Sequence, residues 1–285
     1  MGKIAFVKKH PAVGGLEGVY RDKEGWRFIF QPSDDSPDDS PDVSLEGAVN
    51  LPELELKESK IFDNTYFYGY KFASHVPSSI RNEFIKQLKG LSTTTINKKT
   101  WEKFIFEPIN LLSLKLQDVD SIICPKSERT LINEIMVNHI CNFFTTSNKF
   151  SDLRLFKMNK ADIKFNHNQF EIDNKDKLTE KQYKNYLTNI NNLMNTINNG
   201  SGYFSISEEV KKHLFRRYLY DFLTIKGEDM DKAAKSLHDK HVLLIDDINT
   251  TQSTLMEALR VIHKLALPKK LTIFTLIGND HTTLS

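Results

Sequence analysis

Cysteine is scarce: Cys124 and Cys141 are the only two in 285 residues. Two thiols at that spacing make neither a disulfide framework nor a Cys-x-x-Cys metal knuckle, which excludes disulfide scaffolds and zinc fingers. Long hydrophobic runs are also missing. No stretch approaches the ~20 apolar residues that a membrane helix needs, and Met1 to Phe6 lacks the apolar core of a secretory leader. Neither sign of charge is in excess: 39 Lys and Arg face 37 Asp and Glu, a formal net charge of +2. That balance gives no global argument for a nucleic-acid or membrane partner. No Gly-x-x-x-x-Gly-Lys-Ser/Thr phosphate loop occurs. With 39% hydrophobic and 27% charged residues, the chain can bury a core. The expectation is a cytoplasmic protein in a reducing setting, with no membrane partner.

Composition shifts along the chain suggest five segments. Residues 1–32 read as a β-rich extension, with turn signals at Gly14-Gly15 and Glu24-Gly25 and a strand over 26–30. Residues 33–58 read as an acidic flexible linker, because 33–42 run Ser-Asp-Asp-Ser-Pro-Asp-Asp-Ser-Pro-Asp. Residues 59–150 supply the first part of a core. It has a strand over 65–72, a helix from Pro77 or Ser78 through Phe84 and Leu88 to Gly90, and a helix over 101–116. A strand over 119–124 stops at Pro125, and a helix then carries Leu131, Ile135, Met136 and Ile140. Residues 151–205 are rich in Asn and read as a helical insertion. Residues 206–285 complete the core, with a helix over 207–225, a buried strand over 241–245, a helix over 254–265 and a strand over 271–277. This β-loop-α-β order implies an α/β fold with a parallel sheet and a right-handed crossover.

Several chemistry-bearing residues have plain readings. Tyr66, Phe67, Tyr68, Tyr70 and Phe72 fit a strand with one buried face better than a base-stacking platform. Cys124 reads as a buried strand-end residue and His139 as a core or boundary residue. His75 and His167 have no ligand spacing. Lys211, Lys212, Arg216 and Arg217 form a local basic patch, either a solvated helix face or an anion or nucleic-acid contact.

The informative segment is 242–255, Val-Leu-Leu-Ile-Asp-Asp-Ile-Asn-Thr-Thr-Gln-Ser-Thr-Leu. Two acids, Asp246 and Asp247, follow an apolar strand, and a hydroxyl-rich loop then opens a helix. In parallel α/β folds ligands sit beyond the carboxyl ends of strands, and a helix N-terminus suits phosphate. Carboxylates accept hydrogen bonds from sugar hydroxyls, directly or through hydrated Mg2+. A Walker B strand is the main rival and lacks its partner loop here.

This segment resembles the signature of the type I phosphoribosyltransferase family: an apolar strand, two acids, two further positions, then Thr-Thr-Gly-x-Thr. The resemblance implies that Asp246 and Asp247 face the ribose hydroxyls of phosphoribosyl pyrophosphate and hold Mg2+. It also implies that Thr250, Thr251, Gln252, Ser253 and Thr254 cradle the 5-phosphate. Gln252 stands where the family has glycine. More loosely, Ser121 to Arg129 is similar to the family's pyrophosphate loop, with Lys126 and Arg129 opposite the leaving group, in an element order similar to ComF-like members. The implied activity is phosphoribosyl transfer to or from a base, with the insertion as a hood and a homodimer as the assembly. The alternative is a non-catalytic module that keeps the fold for ligand sensing or for protein or nucleic-acid contact.

Overall fold

The computed structural model describes residues 2–6, 16–22, 25–30, 56–61, 63–72, 82, 84–86, 88–89, 98–116, 118–126, 132–144, 151–210, 213–226, 230–248 and 252–278. The segment read as a linker lies outside them as far as residue 55. The protein is α/β, and its long central strand pairs are parallel. It divides into two compact units. One comprises 1–119, 127–148 and 272–285, the other 120–126 and 149–271.

In the first unit, β1 (Gly2–Phe6), β2 (Leu16–Asp22), β3 (Gly25–Phe30), β4 (Lys57–Ile61) and β5 (Asn64–Phe72) precede two helices, α1 (Lys98–Lys115) and α2 (Ile132–Phe144). The central strand is β5. One edge pairs in parallel with β12 (Lys270–Gly278); the other is shared by antiparallel β4 and parallel β1. Tyr66, Phe67, Tyr68 and Tyr70 are all buried, so β5 is covered on both faces rather than the one that alternation suggested. Tyr66 Oη lies 2.7 Å from Thr275 Oγ1, and the Tyr70 ring stacks on Phe104 at 4.0 Å. Helix α1 approaches so closely that a Cβ on Gly69 would stand 2.8 Å from the Pro108 ring. Helix α2 packs on α1, with His139 stacked 4.1 Å from Phe106 and bonded to Asn110 Oδ1 at 2.8 Å. Burial holds the His139 pKa below the ordinary histidine value, which fits a boundary residue.

In the second unit, β6 (Ser121–Pro125) is flanked in parallel by β7 (Ser151–Lys157) and β11 (His241–Ile248). The short β10 (Leu223–Thr224) runs antiparallel to β7, and β8 (Lys164–Phe165) pairs with β9 (Leu219–Tyr220) as a separate ribbon. The helices are α3 (His167–Asn174), α4 (Glu180–Asn198), α5 (Met230–Leu237) and α6 (Ser253–Leu265). A capping box between Thr179 and Gln182 starts α4. Phe170, Phe165 and Tyr218 fill the subdomain core, and the buried Asn174 amide donates to Phe170 O and Tyr218 Oη.

Two expectations change. The stretch expected to open the helical insertion begins instead with β7, because its Leu153 and Leu155 alternate into the core. The helix expected over 207–225 is two single turns, Ile206–Glu209 and His213–Arg216, followed by β9 and β10. Asp221, at φ 61°, turns the chain between those strands, while Leu219, Phe222 and Leu223 are buried. Among the described residues no helix is long and apolar enough to cross a membrane.

Candidate functional site

From β6 the chain passes through α2 to β7 on one flank of β6. It later returns to the opposite flank as β11. A topological switch point therefore lies between β6 and β11, and beyond their carboxyl ends is where open parallel sheets bind ligands. The parallel register runs Val242 to Ser121, Leu243 to Ile122 and Leu244 to Ile123. It brings Asp246 and Asp247 to the same end as Cys124, Pro125 and Lys126. At its other end the junction is fixed by the Asp120 carboxylate, which accepts from the His241 backbone N–H at 2.9 Å.

Asp246 and Asp247 are each only 5% exposed. The Asp247 N–H donates to Asp246 Oδ1 at 2.9 Å, orienting the first carboxylate against the backbone. Across the strands, burial pushes the Cys124 thiol up to about 12; the Arg154 guanidinium opposes the rise, and the Asp152 and Asp246 carboxylates add to it. Arg154 donates to Cys124 Sγ and pairs with Asp152 at 2.8 Å. Cys124 is thus a buried protonated thiol, as its sequence position suggested.

Lys126 is exposed, with its backbone N–H donating to Leu155 O at 2.7 Å. Its Nζ stands 5.4 Å from the centre of the Phe156 ring, and Lys226 Nζ stands 4.7 Å from the same ring. Sequence reasoning missed Lys226 and Phe156. No local motif marks them, since only the pairing of Thr224 with Phe156 across β10 and β7 brings them together. Arg129, Thr250 and Thr251 lie outside the described residues.

Gln252 is the N-cap of α6, with φ 59° and ψ −4°, and its carbonyl accepts from Met256 N–H at 2.8 Å. The other described non-glycine residues at positive φ are Asp63, Asp221 and Asp239. Aspartate tolerates that region through its short polar side chain, whereas glutamine has no such accommodation. Gln252 holds a conformation in which glycine is the low-cost residue, at a cost of about 1–3 kcal/mol. Ser253 behind it is buried and Thr254 half-exposed.

Two further sequence candidates have structural partners. Arg216 Nε donates to Val210 O at 2.6 Å, and Arg217 pairs with Asp173 at 2.7 Å and lies over the Tyr218 ring. Lys211 and Lys212 lie outside the described residues, as does His75. Among the described residues no three His, Cys, Asp or Glu side chains converge as a metal site. No family model and no curated protein matches this chain.

Proposed function

We propose that the second unit binds phosphoribosyl pyrophosphate, or a related phosphorylated ribose, at the β6–β11 switch point, and that the protein transfers the phosphoribosyl group to or from a base. The left-handed backbone of Gln252 carries this reading. It falls at the one loop position where the resembled signature has glycine, and strain of this kind is kept where a site over-determines the loop. The acids before that loop and the helix after it support the same reading.

In this reading the Asp246 and Asp247 carboxylates accept hydrogen bonds from the ribose hydroxyls. The first amides of α6 receive the 5-phosphate. The ammonium groups of Lys126 and Lys226 face the leaving pyrophosphate and stabilise its growing charge. The bond from the anomeric carbon to the pyrophosphate oxygen breaks with its electron pair leaving on that oxygen. The base nitrogen supplies the pair for the new bond and loses its proton to solvent. The donor set fits Mg2+: two adjacent carboxylates suit an ion that keeps several waters and takes substrate oxygens. Held by Asp246 and Asp247, it would offset charge on the diphosphate.

The test is calorimetric titration with phosphoribosyl pyrophosphate, with and without Mg2+, beside the Asp246→Asn/Asp247→Asn double variant. Metal-dependent binding that the variant loses is the expected outcome. No binding at millimolar ligand would sink the proposal and favour the non-catalytic module, whose specific support is the glutamine side chain itself at the phosphate loop.

A further inference from the structure

A pocket of about 550 Å³ opens in the second unit beside the C-terminal half of α6. It is separate from the switch point: Lys264, on its rim, follows Gln252 by 12 positions, about 18 Å of helix rise. Its size falls in the range of small-molecule sites. Ile163, Leu223, Ile225 and Val261 form a buried apolar floor. Met158 and Met230 stand in its walls, and methionine adapts readily to flat or branched apolar groups.

The rim carries charge in two states. Asp221 binds Lys164 at 2.8 Å and Arg260 at 2.7 Å, and Arg260 also bonds Glu257, so these charges satisfy one another. Lys264 and Asp162 differ. Both line the pocket and are exposed, and neither has an ion-pair partner among the described residues. An open cation and an open anion above an apolar floor match a ligand with the complementary pair of charges.

We propose that this pocket is a second small-molecule site, for a zwitterion with a large apolar body: a free amino acid or dipeptide whose carboxylate meets Lys264, whose ammonium meets Asp162 and whose side chain lies on the floor. It does not rest on the ribose-phosphate reading.

The experiment titrates the full chain calorimetrically with L-phenylalanine and with the dipeptide Leu-Phe, each beside its C-terminal amide and its N-acetyl form. The expected result is saturable binding of a zwitterion. Amidation, acetylation and Lys264→Gln should each weaken it about three- to tenfold. Ala161→Trp, placed on an exposed turn of the pocket lining, should abolish it by filling the mouth. Circular dichroism checks that this variant is folded, and Lys264→Gln gives the independent readout if it is not. The proposal is overturned if neither zwitterion binds at millimolar concentration. Binding that is indifferent to amidation and to Lys264→Gln, or that survives in a folded Ala161→Trp protein, also overturns it. The ribose-phosphate reading is tested with a different ligand and different residues, so either can fail alone.

Discussion

Two points near the start of α6, five residues apart, are held in opposite ways. At the start, Gln252 sits in a left-handed conformation and its side chain makes no capping bond to the helix. One turn further on, the buried carboxylate of Glu257 accepts from the N–H groups of Phe222 and Leu223 at 3.0 and 3.4 Å and from Arg260, which reaches on to Asp221. The same helix thus begins on strained backbone and continues on saturated polar contacts. Strain confined to Gln252, beside a saturated Glu257, is the pattern of a loop held on a rigid support.

Substitutions before α6 and within it should therefore separate binding from stability. The largest effect is expected from Asp246→Asn with Asp247→Asn, which should weaken phosphoribosyl pyrophosphate at least ~100-fold by losing charge-assisted bonds; a change below tenfold in calorimetry would remove the acids from the site. Next comes Glu257→Ala, which orphans two backbone donors and leaves Arg260 with Asp221 as its one remaining ion-pair partner among the described residues. It should cost about 2–4 kcal/mol in urea unfolding, and Glu257→Gln less, since one acceptor survives. A loss under ~0.5 kcal/mol would mean that solvent replaces the network.

The Cys124 thiol gives a third, pH-dependent effect. Its folded pKa of about 12 lies above the ordinary 9.0, so its contribution is complete below pH 9. It is lost as pH rises from there towards 12, because the unfolded chain ionises first. Stability measured in urea at pH 8, 9 and 10 should fall less steeply in Cys124→Ala than in the native protein. Identical slopes would show that this thiol does not titrate differently on unfolding. The smallest effect is at Gln252. Gln252→Gly should stabilise the fold by up to about 1 kcal/mol, strain relief being partly offset by the freer unfolded chain. A destabilised variant would place the strain elsewhere.

Much of the second unit was legible because its signals are local. The apolar run before Asp246, the helix stripe of Leu255, Leu259 and Ile262, and the apolar residues before Pro125 all mark elements near the expected bounds. What was not legible depends on tertiary pairing. Leu219 to Ile225 reads as a continuation of a helix until Asp221 turns it into two strands, and Glu257 secures that turn from 34 or more residues away. Lys226 reaches Phe156 only through the same pairing. The aromatic alternation of β5 predicted one solvated face because nothing local announces the close approach of Pro108 to Gly69.

The pairing of β6 with β11 also has a consequence for synthesis. Pro125 and His241 are separated by about 115 residues, so β7 can occupy one edge of β6 long before β11 exists. At about 5–20 residues per second, the other edge waits roughly 6–23 s on the ribosome. That edge belongs to a strand whose five residues are all buried in the finished protein, and an unpaired apolar edge is a template for the wrong partner. The nascent chain is open to misassembly at that edge in that interval, and the arrival of His241 beside Asp120 brings it to an end.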